Sequence, residues 1–245
     1  MTASVDLWRS GSEVPVGLLG PVALAAGLVG LDVVSVPQAM ISRPIVGAVV
    51  GGALLGEPLA GLVCGVALEC LALESLPVGA SRYNEWGSAS VVAGAVAAVG
   101  ATEAHLPAVG ALTISVVIGI LAAWLGGWTM VRHRRLIARV ARPRLDQMAA
   151  GDRRAVVGLQ TFGIAADFLR GGLLGALLFL PGYLLADAVD RRWMLREDLS
   201  LAVVATAVAA VAAAAVWKDF HAISGTRRLF LASLAVGTAV VFLRV

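Results

Sequence analysis

Charged residues are scarce in this sequence. Only 14% of its 245 residues are Asp, Glu, Lys or Arg, whereas soluble domains usually contain about 25%. Apolar residues instead make up 59% of the chain, and its mean hydropathy is +0.89. Such a composition excludes an ordinary soluble domain and predicts an integral membrane protein.

Cysteine and histidine are scarce as well. The two cysteines, Cys64 and Cys70, are six residues apart on a predicted helix and face different directions, which argues against a disulfide or a shared metal ion. The three histidines, His105, His133 and His221, have no obvious acid or nucleophile beside them in the sequence. The sequence therefore predicts no metal site and no cofactor.

Glycine, by contrast, is abundant. The chain has 28 glycines, spread through its apolar runs. This distribution favours α-helices packed closely through small residues over the alternating pattern of a β-barrel. The predicted fold class is therefore an all-α integral membrane protein, a polytopic helical bundle that forms one membrane domain over residues 1–245.

Apolar runs of unequal length follow one another along the chain. They cover approximately residues 14–34, 44–56, 58–73, 88–101, 107–131, 162–189, 199–217 and 228–245. Most are long enough, or nearly so, to cross about 30 Å of hydrocarbon, but the second, third and fourth runs are short for that task. Short, glycine-broken runs are typical of re-entrant hairpins and broken helices. We therefore expect such elements in the N-terminal half, residues 14–131.

A basic segment at residues 132–158 separates this half from the C-terminal transmembrane helices in 159–245. It contains eight arginines and His133, against only Asp146 and Asp152. The positive-inside rule predicts that it is a cytoplasmic loop, and the apolar residues between the arginines allow an amphipathic helix on the anionic inner leaflet. A basic loop between two spans indicates topology, and we expect no nucleic-acid partner.

Glycines spaced four residues apart predict close helix packing before and after residue 57. The pairs are Gly47 and Gly51, Gly52 and Gly56, and Gly61 and Gly65. Between them, Glu57 and Pro58 predict a tight turn, because proline fixes φ and cannot donate a hydrogen bond to the preceding helix. We expect a hairpin of two short helices, with Glu57 as a solvated acid in its turn.

Two carboxylates interrupt the apolar stretch CGVALECLALESLPVGA, residues 64–80. Glu69 lies in the middle of the run, where a charge at the bilayer centre costs about 2.5–3.5 kcal/mol, so it must face protein or a water-filled cavity. It either accepts hydrogen bonds from a polar solute, or pairs with an arginine or caps a broken helix. Glu74 lies near the end of that helix, about 140° around its axis from Glu69, and need not share the same site.

Polar and aromatic residues are concentrated directly after this stretch. The segment ASRYNEWGS, residues 80–88, contains Asn84, Glu85 and two aromatic rings between apolar runs. This composition suits the binding of sugar hydroxyls and the stacking of a sugar ring. It suits an interfacial loop with an aromatic belt equally well.

Short sequence elements over roughly residues 31–90 match a known family. They are Leu31-Asp32, Gln38-Ala39-Met40, Ser42-Arg43-Pro44, Leu55-Gly56-Glu57, Leu68-Glu69, Ala72-Leu73 and Pro77-Val78-Gly79-Ala80. With them the chain resembles the membrane component IIC of the mannose/fructose/sorbose family of the bacterial sugar phosphotransferase system (PTS). Family members usually carry Pro-Asp after the Gly-Ala element. This chain has Arg82-Tyr83-Asn84-Glu85 there, so Glu85 replaces the acid.

The resemblance implies a sugar-translocating subunit of a mannose-type PTS. It would bind a hexose-like sugar through Gln38, Glu69, Pro77, Asn84 and Glu85 and pass the sugar to a phosphorylated IIB component. The chain itself would have no catalytic residue, because IIB carries out the phosphoryl chemistry. The resemblance also implies a homologous IID membrane subunit, a IIA component and a multi-pass location in the bacterial cytoplasmic (inner) membrane. The glycine faces further predict an oligomer.

Two other functions stay open at this point. One is a non-transporting membrane anchor or signalling subunit, which would dock PTS proteins through the segment Arg132–Arg154. The other is an ion-coupled secondary transporter, in which Glu69 would be the proton or cation site.

Overall fold

The computed structural model describes residues 16–73, 83–101, 105–194, 196–220 and 225–244. Within these ranges every regular element is helical, apart from one isolated bridge between Ala101 and Pro107. The α-helices are α1 (Val16–Leu31), α2 (Pro44–Leu54), α3 (Pro58–Ala72), α4 (Trp86–Ala97), α5 (Val109–Ala141), α6 (Leu145–Ala149), α7 (Arg153–Asp190), α8 (Glu197–Phe220) and α9 (Thr226–Arg244). The predicted all-α membrane fold is confirmed.

The two short apolar runs around residue 57 form a helical hairpin, as predicted. Both α2 and α3 begin with a proline, Pro44 and Pro58, at the position where its missing N–H costs nothing. Between the helices, Gly56 adopts a φ of 80°, a conformation that favours glycine over residues with a side chain. These local signals terminate α2 and restart the chain as α3.

Glycines allow α2, α3 and α4 to pack at close range. The carbonyl oxygen of Ala48 in α2 lies against Gly61 of α3 on one side and against Gly94 of α4 on the other. Gly51 lies in the same way against the carbonyl oxygen of Val91. A Cβ atom at any of the three glycines would overlap with backbone, so the missing side chains set the distance between the helices.

Helix α4 forms the centre of the fold. All 12 of its residues are buried, and it contacts α1, α2, α3, α5 and α7. Long helices α5 and α7 pack against each other, and α7 also packs along α1. Helix α8 contacts α3 and α5 at the periphery, and α9 contacts α8.

Two stretches in the described part of the chain are long and apolar enough to cross a membrane: Val109–Ala149 and Arg153–Asp190. The 33 residues of α5 correspond to a length of about 50 Å, more than the hydrocarbon core requires. The end of α5 that carries the arginines therefore continues beyond the hydrocarbon.

The basic segment 132–158 is helical over most of its length. Helix α5 continues through it to Ala141 because no glycine or proline interrupts the sequence before Pro143. A new helix begins after Gly151, which has a φ of 78°, and Asp152 caps this helix by accepting a hydrogen bond from the Arg154 backbone N–H at 2.8 Å. The arginines therefore lie at the tip of an α5–α7 hairpin.

Glu57 is buried, contrary to the solvated position that we expected. Only 7% of the surface of Glu57 is exposed to solvent, and its Oε2 lies 2.7 Å from Nδ1 of His105. His105 therefore has an acid partner, which the sequence did not indicate because the two residues are 48 positions apart. Both cysteines are free, while His221 lies outside the described residues.

Candidate functional site

A cavity of about 230 Å³ lies where α1 and α3 end and α2 and α4 begin. Its lining combines polar groups with aromatic and apolar surface: Asp32, Val33, Gln38, Met40, Ser42, Arg43, Pro44, Ala72, Tyr83, Asn84 and Trp86. Drug-sized ligands occupy pockets of about 300–1,000 Å³, so this cavity suits a smaller polar solute.

Asp32 organises the loop that forms one wall of this cavity. Its buried carboxylate accepts hydrogen bonds from the backbone N–H of Ala39 at 2.6 Å, the backbone N–H of Ser42 at 3.0 Å and the Ser42 hydroxyl at 2.8 Å. With these bonds Asp32 fixes the loop that carries Gln38, whose Nε2 donates to the Val33 carbonyl at 3.1 Å.

Glu69 contacts Arg43, a residue of the cavity lining. The two side chains form an ion pair with a hydrogen bond from Nη2 of Arg43 to Oε1 of Glu69. The other carboxylate oxygen, Oε2, accepts from the backbone N–H of Ile45 at 3.3 Å, in the first turn of α2. Glu69 therefore both pairs with an arginine and satisfies a helix N-terminus. It is not itself part of the cavity lining.

The start of α4 forms the opposite wall. Glu85 is fully buried and caps this helix, because its Oε1 accepts a hydrogen bond from the Ser88 N–H at 2.9 Å. On either side of it, Asn84 and Trp86 line the cavity. Trp86 is only 8% exposed, and its indole Nε1 finds no acceptor within the part of the chain that the structure describes. A buried indole N–H usually has a partner. The Trp86 nitrogen is closed off from the cavity, so a ligand oxygen could reach it only if the surrounding side chains moved.

A buried ionic cluster lies behind this wall. Arg170 of α7 donates from Nε to Oδ1 of Asp167 at 2.8 Å, and its Nη1 lies 3.7 Å from Oε2 of Glu85. Asp167 also accepts a hydrogen bond from the Ser35 hydroxyl. The side chains of Glu85 and Asp167 are fully buried, and that of Arg170 is 9% exposed. The cluster joins the start of α4 to α7 and to the loop after α1.

Sequence analysis missed Asp167 and Arg170. A signal for them was present: an acid and an arginine three residues apart within a long apolar run, where ionisable residues are costly and face the protein interior. No local feature of the sequence indicates that Glu85 joins them, because residue contacts between distant segments depend on the fold.

Tyr83 connects the cavity to the basic end of α5. The Tyr83 hydroxyl accepts a hydrogen bond from Nη2 of Arg134 at 2.7 Å, and the Arg134 guanidinium lies 5.0 Å from the centre of the tyrosine ring. Tyr83 is part of the cavity lining. The cavity therefore lies near the end of the bundle that carries the arginines.

The predicted site residues occupy three kinds of position. Gln38 and Asn84 line the cavity, whereas Glu69 and Glu85 contact the residues or helix ends that form its walls. Pro77 lies outside the described residues, as does Glu74. In the described ranges, no group of three or more His, Cys, Asp or Glu side chains is arranged to hold a metal ion.

Comparison with known proteins identifies relatives by sequence and by fold. Residues 18–192 match the model of the family EII-Sor, the PTS system sorbose-specific IIC component. A solved structure described as "Structure of membrane protein" is similar with a TM-score of 0.62, covering 94% of this chain and 95% of its own at 14% sequence identity. At 14% identity this structural similarity is evidence for a shared fold only. No curated protein matches the sequence.

Proposed function

The chain belongs to the family of sorbose-specific IIC components of the sugar phosphotransferase system, and we propose that it binds a hexose-like sugar in the 230 Å³ cavity. Membership makes it a sugar-transporting membrane subunit that works with other PTS components. The observation that carries the proposal is the lining of the cavity, which combines two amide side chains and an arginine with the aromatic side chain of Trp86.

This lining suits the chemistry of a monosaccharide. Each sugar hydroxyl both donates and accepts hydrogen bonds, and the amides of Gln38 and Asn84 can do the same. Arg43 and the Trp86 N–H supply donors only, and the Trp86 ring offers an apolar face to the C–H groups of a sugar ring. Glu69 and Glu85 then act indirectly, because they orient Arg43 and the start of α4.

The position of the cavity supports transfer of the sugar to a cytoplasmic partner. The contact between Tyr83 and Arg134 joins the cavity to the arginine-rich end of α5, which the positive-inside rule assigns to the cytoplasm. A phosphorylated IIB component, supplied by IIA, would phosphorylate the sugar there. The product is trapped because a phosphate dianion cannot return through an apolar path.

In the proposed complex this chain is a multi-pass subunit of the bacterial cytoplasmic membrane. It assembles with a homologous IID subunit and forms an oligomer. The protein supplies binding and conformational change, and the phosphoryl group moves from IIB directly to the sugar without a covalent intermediate on this chain.

Uptake of radiolabelled hexoses tests the proposal. In cells that contain this chain with its IIB and IID partners, the label is expected to accumulate as sugar phosphate. Unphosphorylated label that is lost when the proton gradient collapses would indicate an ion-coupled transporter instead. No uptake by an inserted, partner-bound protein would indicate an anchor or signalling subunit.

The Trp86→Phe variant tests the cavity itself. It keeps an aromatic ring in the wall but removes the indole donor, so we expect sugar binding to weaken about three- to tenfold, the effect of one lost hydrogen bond. The expected readout is a higher KM for uptake with unchanged protein level and maximal rate. Trp217→Phe in α8 is the matched control and should leave KM unchanged. An unchanged KM in Trp86→Phe would exclude the indole N–H as a sugar contact.

A further inference from the structure

One face of α5 is exposed along most of the helix. Its residues are spaced three or four positions apart and fall within about 80° of the helix circumference. This face, the α5 stripe, consists of Val117, Leu121, Trp124, Trp128, Arg132, Arg135 and Arg139. The opposite face, which includes Gly119, Ala122, Ala123, Gly126 and Gly127, is buried in the helical bundle.

Along the α5 stripe the side chains change from apolar to aromatic to cationic. Val117 and Leu121 are 54% and 42% exposed, and the tryptophans Trp124 and Trp128 that follow are 50% and 40% exposed. Trp128 lies 11 residues after Val117, which corresponds to about 16 Å along the helix, close to the hydrocarbon thickness of one leaflet. Tryptophan is characteristic of the membrane–water interface. The stripe therefore passes from leaflet interior to interface over its apolar and aromatic part.

Arginines begin directly at the end of this aromatic part. The Arg132 guanidinium lies 3.1 Å from the centre of the Trp128 ring, an arrangement that holds the charge at the level of the interface. Arg135 follows less than one turn later, and no acidic residue occurs between Arg132 and Ala141. Two exposed guanidinium groups thus follow the tryptophans within two helical turns, and a guanidinium can donate two hydrogen bonds to one phosphate.

We propose that the α5 stripe is a binding site for an anionic glycerophospholipid of the cytoplasmic leaflet. An acyl chain lies along Val117, Leu121 and Trp124, and the headgroup phosphate contacts Arg132 and Arg135 beyond Trp128. The order of apolar, aromatic and cationic side chains matches the order of chain, glycerol and phosphate in such a lipid. An acidic protein partner would match the arginines alone, and a zwitterionic lipid would match the apolar part alone.

Quenching of tryptophan fluorescence by brominated lipids measures this preference without any sugar or PTS partner. The full chain is reconstituted in phosphatidylcholine vesicles that contain either brominated phosphatidylglycerol or brominated phosphatidylcholine at equal bromine content. We expect stronger quenching by the anionic lipid. In the variant Arg132→Gln/Arg135→Gln the ratio of the two quenching constants should fall toward one, with each arginine contributing about fivefold. Arg132→Lys/Arg135→Lys keeps the charges and should retain most of the ratio.

The matched control is Arg142→Gln/Arg144→Gln, which removes the same charge from the same hairpin. These arginines lie about 20 Å or more beyond Trp128 along the chain, outside the headgroup layer. The control should keep the preference of the unmodified protein. The proposal is overturned if the unmodified protein prefers neither lipid, whether or not an acidic protein binds there. It is also overturned if both Gln double variants lower the ratio equally, because the attraction would then be a diffuse property of the basic hairpin.

Discussion

The variant Arg170→Met is expected to lose about 3–5 kcal/mol of stability, the usual effect of removing one partner from a buried ion pair. Arg170 lies between Oδ1 of Asp167 at 2.8 Å and Oε2 of Glu85 at 3.7 Å. Without it, two fully buried carboxylates would lose the counter-charge that Arg170 supplies. Because Glu85 caps α4 and Asp167 accepts a hydrogen bond from Ser35, the loss should also loosen the walls of the cavity.

Thermal unfolding in detergent measures this effect. Arg191→Met is the matched control: Arg191 pairs with Asp187 at 2.8 Å, but its side chain is 63% exposed, so we expect a loss of less than about 1 kcal/mol. Neutralising the carboxylates in the triple variant Arg170→Met/Glu85→Gln/Asp167→Asn should recover part of the loss. Equal stability of Arg170→Met and Arg191→Met would contradict the structural role assigned to the cluster.

The hairpin of α2 and α3 shows what the sequence could predict. Pro44, Pro58 and Gly56 each act on their own backbone or on that of a direct neighbour, so their effect can be interpreted without knowledge of the fold. The glycine spacing likewise reports helix faces that must approach another helix closely. The predicted turn at residue 57 and the close packing of both helices are accordingly confirmed.

Contacts between distant residues could not be predicted in the same way. Glu69 needed either a solute or an arginine, and the sequence could not identify Arg43, 26 positions earlier, as that arginine. Similarly, the basic composition of residues 132–158 indicates membrane sidedness but not whether the backbone there is loop or helix. Only the absence of glycine and proline between Arg132 and Pro143 indicated that this part of the backbone is helical.

Predicting which residues line the cavity required both local sequence signals and knowledge of the fold. Gln38 and Asn84 belong to elements that resemble the IIC family, and both line the cavity. In the sequence, Trp86 belongs to an aromatic segment whose composition suits either a sugar site or an interfacial loop. Its burial, and the lack of an acceptor for its N–H among the described residues, follow from how α4 packs at the centre of the fold.

The second large effect is expected for Gly94→Val. Gly94 of α4 faces the backbone of Ala48 in α2, so added side-chain atoms would overlap with a carbonyl oxygen that is already contacted by Gly61 from the other side. Backbone held between two helices cannot move aside as a flexible side chain can. Overpacking usually costs about 1–3 kcal/mol, and we expect this variant to reach or exceed the upper end of that range.

The same substitution should also impair uptake. The cavity lies at the first residues of α2 and α4, so a change in the distance between these helices changes the separation of Arg43 from Asn84 and Trp86. Gly158→Ala in α7 is the control, because nothing lies within 4 Å of its Cβ position, and alanine there should be neutral or stabilise the helix by up to about 1 kcal/mol. A Gly94→Val protein with a normal unfolding temperature and normal uptake would contradict this prediction. It would mean that α2 and α4 can move apart at little cost and that the cavity does not depend on their close contact.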